Sequence, residues 1–293
     1  MILVNLVFKD WKWPIIEIII KSFSCVIEAL GRSACLSHLY GYSIREMGDL
    51  KSLVSAAQRI VMSIDASDEA EAHKLAQIAK DSDAGYIKMG LELSSATSWR
   101  WCSQLAEEFD LEWIADAKLS DIPNTVAATV RNFKKLDLPP FGITVHIAGG
   151  SEAIRLAQEI AGTTKILGVT ILTSLSDEET KKIYGVAAAQ KVLDLAKMAA
   201  EAGLAGIVCS AQEIRAIRDD NDTKDLFLMV PGTRSLGTAH GDQARVTTPT
   251  EAIKAGADLL VIGRQVTQSD NPAQAFNNLL TEIEGALNNN GDL

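Results

Sequence analysis

Only four cysteines occur, Cys25, Cys35, Cys102 and Cys209, and none stands in a C-x-x-C or other metal-type spacing. Neither a disulfide framework nor a zinc site is indicated, and the thiols are expected to be reduced. The four histidines, His38, His73, His146 and His240, do not cluster and form no H-E-x-x-H pattern, so no metal is expected. No G-x-G-x-x-G follows a strand-like run and no Walker loop occurs, so neither a dinucleotide nor a nucleoside triphosphate is implied. Positive charge is in short supply: 28 Lys and Arg against 38 Asp and Glu give a formal net charge of -10. That balance argues against nucleic acid or an anionic membrane as partner, while leaving room for a local basic pocket that holds a phosphate. Long apolar runs are missing as well. The richest, PIIEIIIKSFSCVIEAL, is broken by Glu17, Lys21 and Glu28. It is too short and too charged to span a membrane, and its start lacks the basic region and cleavage site of a signal peptide. A soluble, cytoplasmic chain is expected, with its chemistry supplied by its own side chains.

What is present is enough for a full-sized core, since 47% of the residues are hydrophobic and 23% charged. From Arg59 onward, short apolar runs alternate with helical stretches, the pattern of an α/β fold. The strand candidates are RIVMSID, GYIKMG, LEWIADAK, GITVHI, KILGVTIL, GIVCS, LFLMV and DLLVIG, eight in all. Helical periodicity fills the intervals, over 68–82, 98–109, 151–162, 189–203 and 271–287 among others. Eight strand-helix units close naturally into a (β/α)8 TIM barrel of about 250 residues, and 58–288 suits that size.

The placement of charge supports the barrel more strongly than the count. Asp65, Lys88, Asp116, Lys118 and His146 all fall at or near the C-terminal ends of successive strand candidates, the face on which TIM-barrel active sites are built. An open doubly wound sheet would gather only some of these ends. A barrel has no edge strand, so Lys88 has to point into the barrel mouth or toward the helices. Asp65 reads either as part of this group or as a cap for a helix beginning near Asp68. His146 reads equally well as a satisfied core histidine or as a group lining the site.

Residues 113–130, WIADAKLSDIPNTVAATV, place three charges inside an apolar run. On an extended backbone Asp116 and Lys118 share a face, Asp121 follows at the turn, and Pro123 suits the first position of a helix. An isolated D-x-K is most simply a structural salt bridge, with Asp121 as a helix cap. Burying such a pair is costly, however, and two acids around one lysine point to charge kept for chemistry. The expectation is an acid, a base and a second acid presented to one small volume. Past the fifth strand come Thr170, Thr173 and Ser174, hydroxyls that commonly form turns. After the seventh, VPGTRSLGTAHGDQARVTTP reads as a pliant loop through Gly232, Gly237 and Gly241. After the eighth, Gly263 permits close backbone approach and Arg264 offers a planar fork, where barrels commonly bind phosphate.

The spelling D-x-K-x-x-D-I-P-N-T, with P-G-x-R, G-D-Q-x-R and I-G-R farther on, resembles the orotidine 5'-phosphate decarboxylase family over residues 58–288. The resemblance implies a cofactor-free carboxy-lyase of pyrimidine synthesis, working as a homodimer with shared active sites. It implies that Lys88, Asp116, Lys118 and Asp121 form an alternating catalytic array. Asp65 and Lys88 would hold the ribose, and Thr173 or Ser174 would contact the base. Pro231, Arg234, Gln243, Gly263 and Arg264 would form the phosphate end and its lid. Asp121 and Thr125 would reach into a neighbouring barrel, and Ile122 would contact the substrate. Ala115, Ala117, Ser120, Thr233, Ser235 and Gln265 depart from the family's more usual residues without removing a charge of the array. Two other readings remain: another phosphate-binding barrel lyase, such as a metal-assisted sugar-phosphate decarboxylase or an aldolase, and a non-catalytic nucleotide-binding descendant. Because the family's first strand lies near the N-terminus, residues 1–57 read as an appended, possibly helical extension or as the product of an upstream start, with Met47 as the alternative start. Residues 289–293 read as a tail.

Overall fold

The structure, a computed structural model, describes residues 55–235 and 247–288. The helical reading of the N-terminal extension, the C-terminal tail and the lid residues Gln243 and Arg245 lie outside the described residues. Eight parallel strands close into a barrel in simple sequence order. They are β1 Ile60–Ile64, β2 Tyr86–Gly90, β3 Trp113–Leu119, β4 Gly142–His146, β5 Lys165–Val169, β6 Gly206–Val208, β7 Phe227–Pro231 and β8 Leu259–Ile262. Each strand candidate in the sequence overlaps one of them, with β3 and β7 running one residue further, to Leu119 and Pro231. The fifth stops earlier than its apolar run, at Val169, and the next residue, Thr170, donates its hydroxyl to the Val208 carbonyl at 2.8 Å.

The helices on the outside are α1 Glu69–Asp81, α2 Leu91–Ala96, α3 Trp99–Glu108, α4 Pro123–Phe133, α5 Ser151–Ala161, α6 Asp177–Tyr184, α7 Ala188–Glu201, α8 Ile214–Asp219, α9 Pro249–Ala255, α10 Arg264–Thr267 and α11 Pro272–Asn288. Several of their starts are written in the sequence as caps. Asp68 accepts from the Glu71 N–H at 2.9 Å ahead of α1. Ser176 with Glu179, and Thr248 with Glu251, form capping boxes before α6 and α9, each satisfying backbone donors that the helix leaves open. Pro123 opens α4, where its missing N–H costs nothing.

Strand alternation divides the core in two. Outward residues such as Ile60, Met62, Ile64, Ile87 and Met89 pack against the helices, while Val61, Tyr86, Ile114, Leu167, Met229 and Val261 fill the inside of the barrel. Along β1, β2 and β3 the inward series begins apolar and becomes polar or charged toward the C-terminal end. On β1 it runs Val61, Ser63, Asp65; on β2, Tyr86, Lys88; on β3, Ile114, Asp116. The apolar plug closes the bottom of the barrel, and the charged residues stand above it at the mouth.

Candidate active site

At that mouth lies a cavity of about 400 Å³, lined by Ser63, Asp65, Lys88, Asp116 and Lys118 together with Thr173, Ser174, Pro231, Arg234, Gly263 and Arg264. Val169, Ile171, Val208, Cys209 and Met229 add apolar wall. Four of the charges form a chain. Lys88 Nζ lies 3.6 Å from Asp65 Oδ1 and 3.0 Å from Asp116 Oδ2, and Lys118 Nζ lies 2.7 Å from that same Oδ2. Asp65 faces Lys88 rather than capping a helix, since Asp68 takes the capping role.

Burial and charge oppose each other here, and charge prevails. Burial would raise the carboxyl of Asp116, but Lys88 and Lys118 on either side hold it far below the usual carboxylate range. Burial would likewise push the ammonium of Lys88 down, yet Asp116 and Asp65 keep it above its ordinary value. Asp116 and Lys88 are therefore both ionised at neutral pH. His146, half-buried at the end of β4, is pushed below its usual value by burial and then by the charge of Lys118, with Asp116 partly opposing. It stays neutral at pH 7 and is not among the residues lining the cavity.

Within its own chain Asp121 does not share this volume. Asp121, Ile122 and Thr125 are exposed and lie outside the chain's own cavity. The reason is local: β3 ends at Leu119 and the chain swings outward to begin α4 at Pro123, leaving Asp121 Oδ1 to accept from the Ile122 N–H at 2.6 Å. Ile122 is 67% exposed, unusual for a large apolar side chain beside a site.

The family model described as "Orotidine 5'-phosphate decarboxylase / HUMPS family" matches residues 58–279. The chain belongs to this family. It is 40% identical over 228 residues to the orotidine 5'-phosphate decarboxylase of Wolbachia pipientis subsp. Culex pipiens, covering 76% of this chain and 98% of that protein. It is 37% identical over 233 residues to the enzyme of the same name from Idiomarina loihiensis, covering 78% of this chain and 99% of the relative. Its fold is similar to the crystal structure of orotidine 5'-phosphate decarboxylase from Lactobacillus acidophilus, with a TM-score of 0.64 and 29% identity over 76% of this chain and 98% of that one.

Arg234, Gly263 and Arg264, just past the ends of β7 and β8, line the same cavity as the charge array. Arg234 is buried and donates through Nη1 to the Thr233 carbonyl at 2.8 Å, and Arg264 opens α10 in an exposed position. A Cβ on Gly263 would stand 3.5 Å from Asp65 Oδ2 and from Ser63 Cβ, so the bare glycine keeps that corner of the cavity open. Thr173 and Ser174 both line the cavity, and either can present a hydroxyl to a base. Gln243 lies outside the described residues.

Two polar residues of this site escaped sequence reading. Ser63 donates to Asp65 Oδ1 at 2.9 Å; its position two residues before Asp65 on the same strand face was the available signal. Thr144 donates to Asp116 Oδ1 at 3.0 Å, and only the pairing of β3 with β4 brings it there.

Proposed function

We propose that this protein decarboxylates orotidine 5'-phosphate to uridine 5'-phosphate and carbon dioxide, as befits its family, and that it does so without a cofactor. The observation that carries the reading is the continuous chain Asp65, Lys88, Asp116, Lys118 lining a cavity that Arg234 and Arg264 also line. Loss of carbon dioxide breaks a carbon-carbon bond and leaves its electron pair on a pyrimidine ring carbon. A fixed cation placed in advance stabilises that charge. Lys118 is suited to the task and then to donating its proton to the same carbon, a general-acid step, before being reprotonated from solvent. Asp116 stands beside the departing carboxylate and orients Lys118, while Lys88 and Asp65 hold the ribose hydroxyls. Arg264, Arg234 and Gln243 take the phosphate, and Pro231 and Gly263 shape its end of the cavity.

In this reading the enzyme is a homodimer. Asp121, Ile122 and Thr125, exposed and outside their own cavity, extend into the partner's, where Asp121 supplies the second acid beside Lys118. A two-fold axis makes the exchange mutual, so both sites are completed together. Catalysis belongs to the barrel of residues 58–288. Among the described residues no helix is long and apolar enough to cross a membrane, and the two described cysteines, Cys102 and Cys209, are free and buried. Both features suit the cytoplasm.

The test is to follow the loss of orotidine monophosphate absorbance with purified protein, with and without a chelator. Equal turnover in both supports the proposal. Turnover abolished by chelator would point to a metal-assisted lyase, and none in either would refute the reading.

A further inference from the structure

We infer that Thr144 is the positioning residue that sets both members of the Asp116–Lys118 pair, an inference that rests on the decarboxylase reading above. The strand β3 does not pair evenly with β4. Ala115 stands opposite Ile143 and Leu119 opposite Val145, so four steps along β3 run beside two along β4. The extra length is a bulge, and Asp116 and Lys118 both lie in it. Lys118 has φ +45°, in the left-handed region that non-glycine residues seldom enter. Such a backbone persists only when its surroundings over-determine it, and bulges beside active sites commonly re-aim a side chain.

Thr144 is the β4 residue facing the bulge, and it is 0% exposed. Its hydroxyl oxygen accepts from the Lys118 backbone N–H at 2.8 Å, and the same hydroxyl donates to Asp116 Oδ1 at 3.0 Å. One group thus uses its accepting and its donating capacity together. It takes the place of the ladder bond that the bulge removes at Lys118. It also fixes the carboxylate oxygen that the lysines leave free, since both contact Oδ2. With Oδ1 tied to β4 and Oδ2 to the two ammonium groups, the Asp116 carboxylate cannot rotate, and Lys118 is held at both its backbone and its Nζ. Thr144 touches no space in the cavity lining, so its contribution is to geometry.

The experiment compares Thr144→Val, which keeps the shape and removes both hydrogen bonds, with Thr144→Ser, which keeps the hydroxyl. Thr164→Val is the control for loss of a buried threonine hydroxyl elsewhere: Thr164 donates to the Pro140 carbonyl at 3.0 Å before β5, at the opposite end of the barrel. Thr144→Val is expected to lower kcat by about thirtyfold to a hundredfold with KM changed by less than about threefold, as displacement of a reacting group does. Thr144→Ser should recover kcat to within about fivefold of wild type. Thr164→Val should lose thermal stability as Thr144→Val does, with kcat unchanged. Backbone amide exchange provides a readout independent of turnover, with the Lys118 N–H losing protection in Thr144→Val and keeping it in Thr144→Ser. A Thr144→Val enzyme with wild-type kcat, an equal kcat loss in Thr164→Val, or an unchanged Lys118 amide would overturn the inference. Absence of turnover in the wild type would instead refute the decarboxylase reading, and the amide exchange would still decide whether Thr144 holds Lys118.

Discussion

Lys88 and Asp116 meet diagonally across β2 and β3. Their ladder partners are Ile114 and Gly90 respectively, yet Lys88 Nζ reaches Asp116 Oδ2 at 3.0 Å. The position opposite Asp116 carries no side chain, and a Cβ on Gly90 would stand 3.7 Å from Lys88 Nζ. Because Lys118 takes the same oxygen at 2.7 Å, one carboxylate oxygen serves two cations.

That sharing makes Asp116 important to stability as well as to chemistry. Removing the acid from a buried group of charges leaves the lysines uncompensated, so Asp116→Asn is expected to destabilise the fold by about 3 kcal/mol at neutral pH. The sign of the pH dependence follows from the direction of the shift. The folded carboxyl is held below its ordinary value of 3.8, so its contribution is complete above that pH and is lost as pH falls through the folded value. Denaturant titrations of both proteins should show the gap narrowing below about pH 4. A gap of constant size down to pH 2 would contradict the depressed carboxyl.

Lys118→Ala removes the proposed proton donor and the cation facing the developing charge together. Turnover of orotidine monophosphate is expected to fall by at least about four orders of magnitude, more than either a general acid or an electrostatic donor alone contributes. The circular dichroism spectrum should be unchanged. Near-normal turnover in the absorbance assay would exclude Lys118 from the chemistry.

Shared sites can be tested by complementation. Lys118→Ala and Asp121→Ala chains should each be inactive alone. Mixed and allowed to exchange subunits, they should regain up to about a quarter of wild-type activity, because half of the dimers form as hybrids and each hybrid has one intact site. No recovery after mass spectrometry has verified exchange would remove Asp121 from the partner's cavity.

Arg264 is expected to act on the reaction from the far end of the substrate. Binding energy at a remote phosphate raises the rate when it is realised as the site assembles. A charge-assisted hydrogen bond is worth about 1.5 to 3 kcal/mol, so Arg264→Ala should lower kcat/KM by roughly tenfold to a hundredfold. With orotidine, which lacks the phosphate, variant and wild type should perform alike. Equal damage to both substrates would make Arg264 a structural residue and place the phosphate elsewhere.

The sequence by itself determined the barrel and much of the wall of charge, and the physics explains why. Strand alternation is a local rule with a period of two, so the series Val61, Ser63, Asp65 and Ile114, Asp116 could be read as one face without any coordinates. Caps such as Asp68 and Ser176 act within three residues and are equally local. Tertiary structure decided what depends on contact between distant segments. It moved Asp121 out of the chain's own cavity, because the direction of the chain after Leu119 is set by how α4 packs on the barrel and not by the D-x-K-x-x-D spacing. It also supplied Thr144, 26 residues from Lys118. Its neighbours follow from a slip in the pairing of β3 with β4, and a bulge changes which residues face each other without leaving a mark in either strand's own pattern.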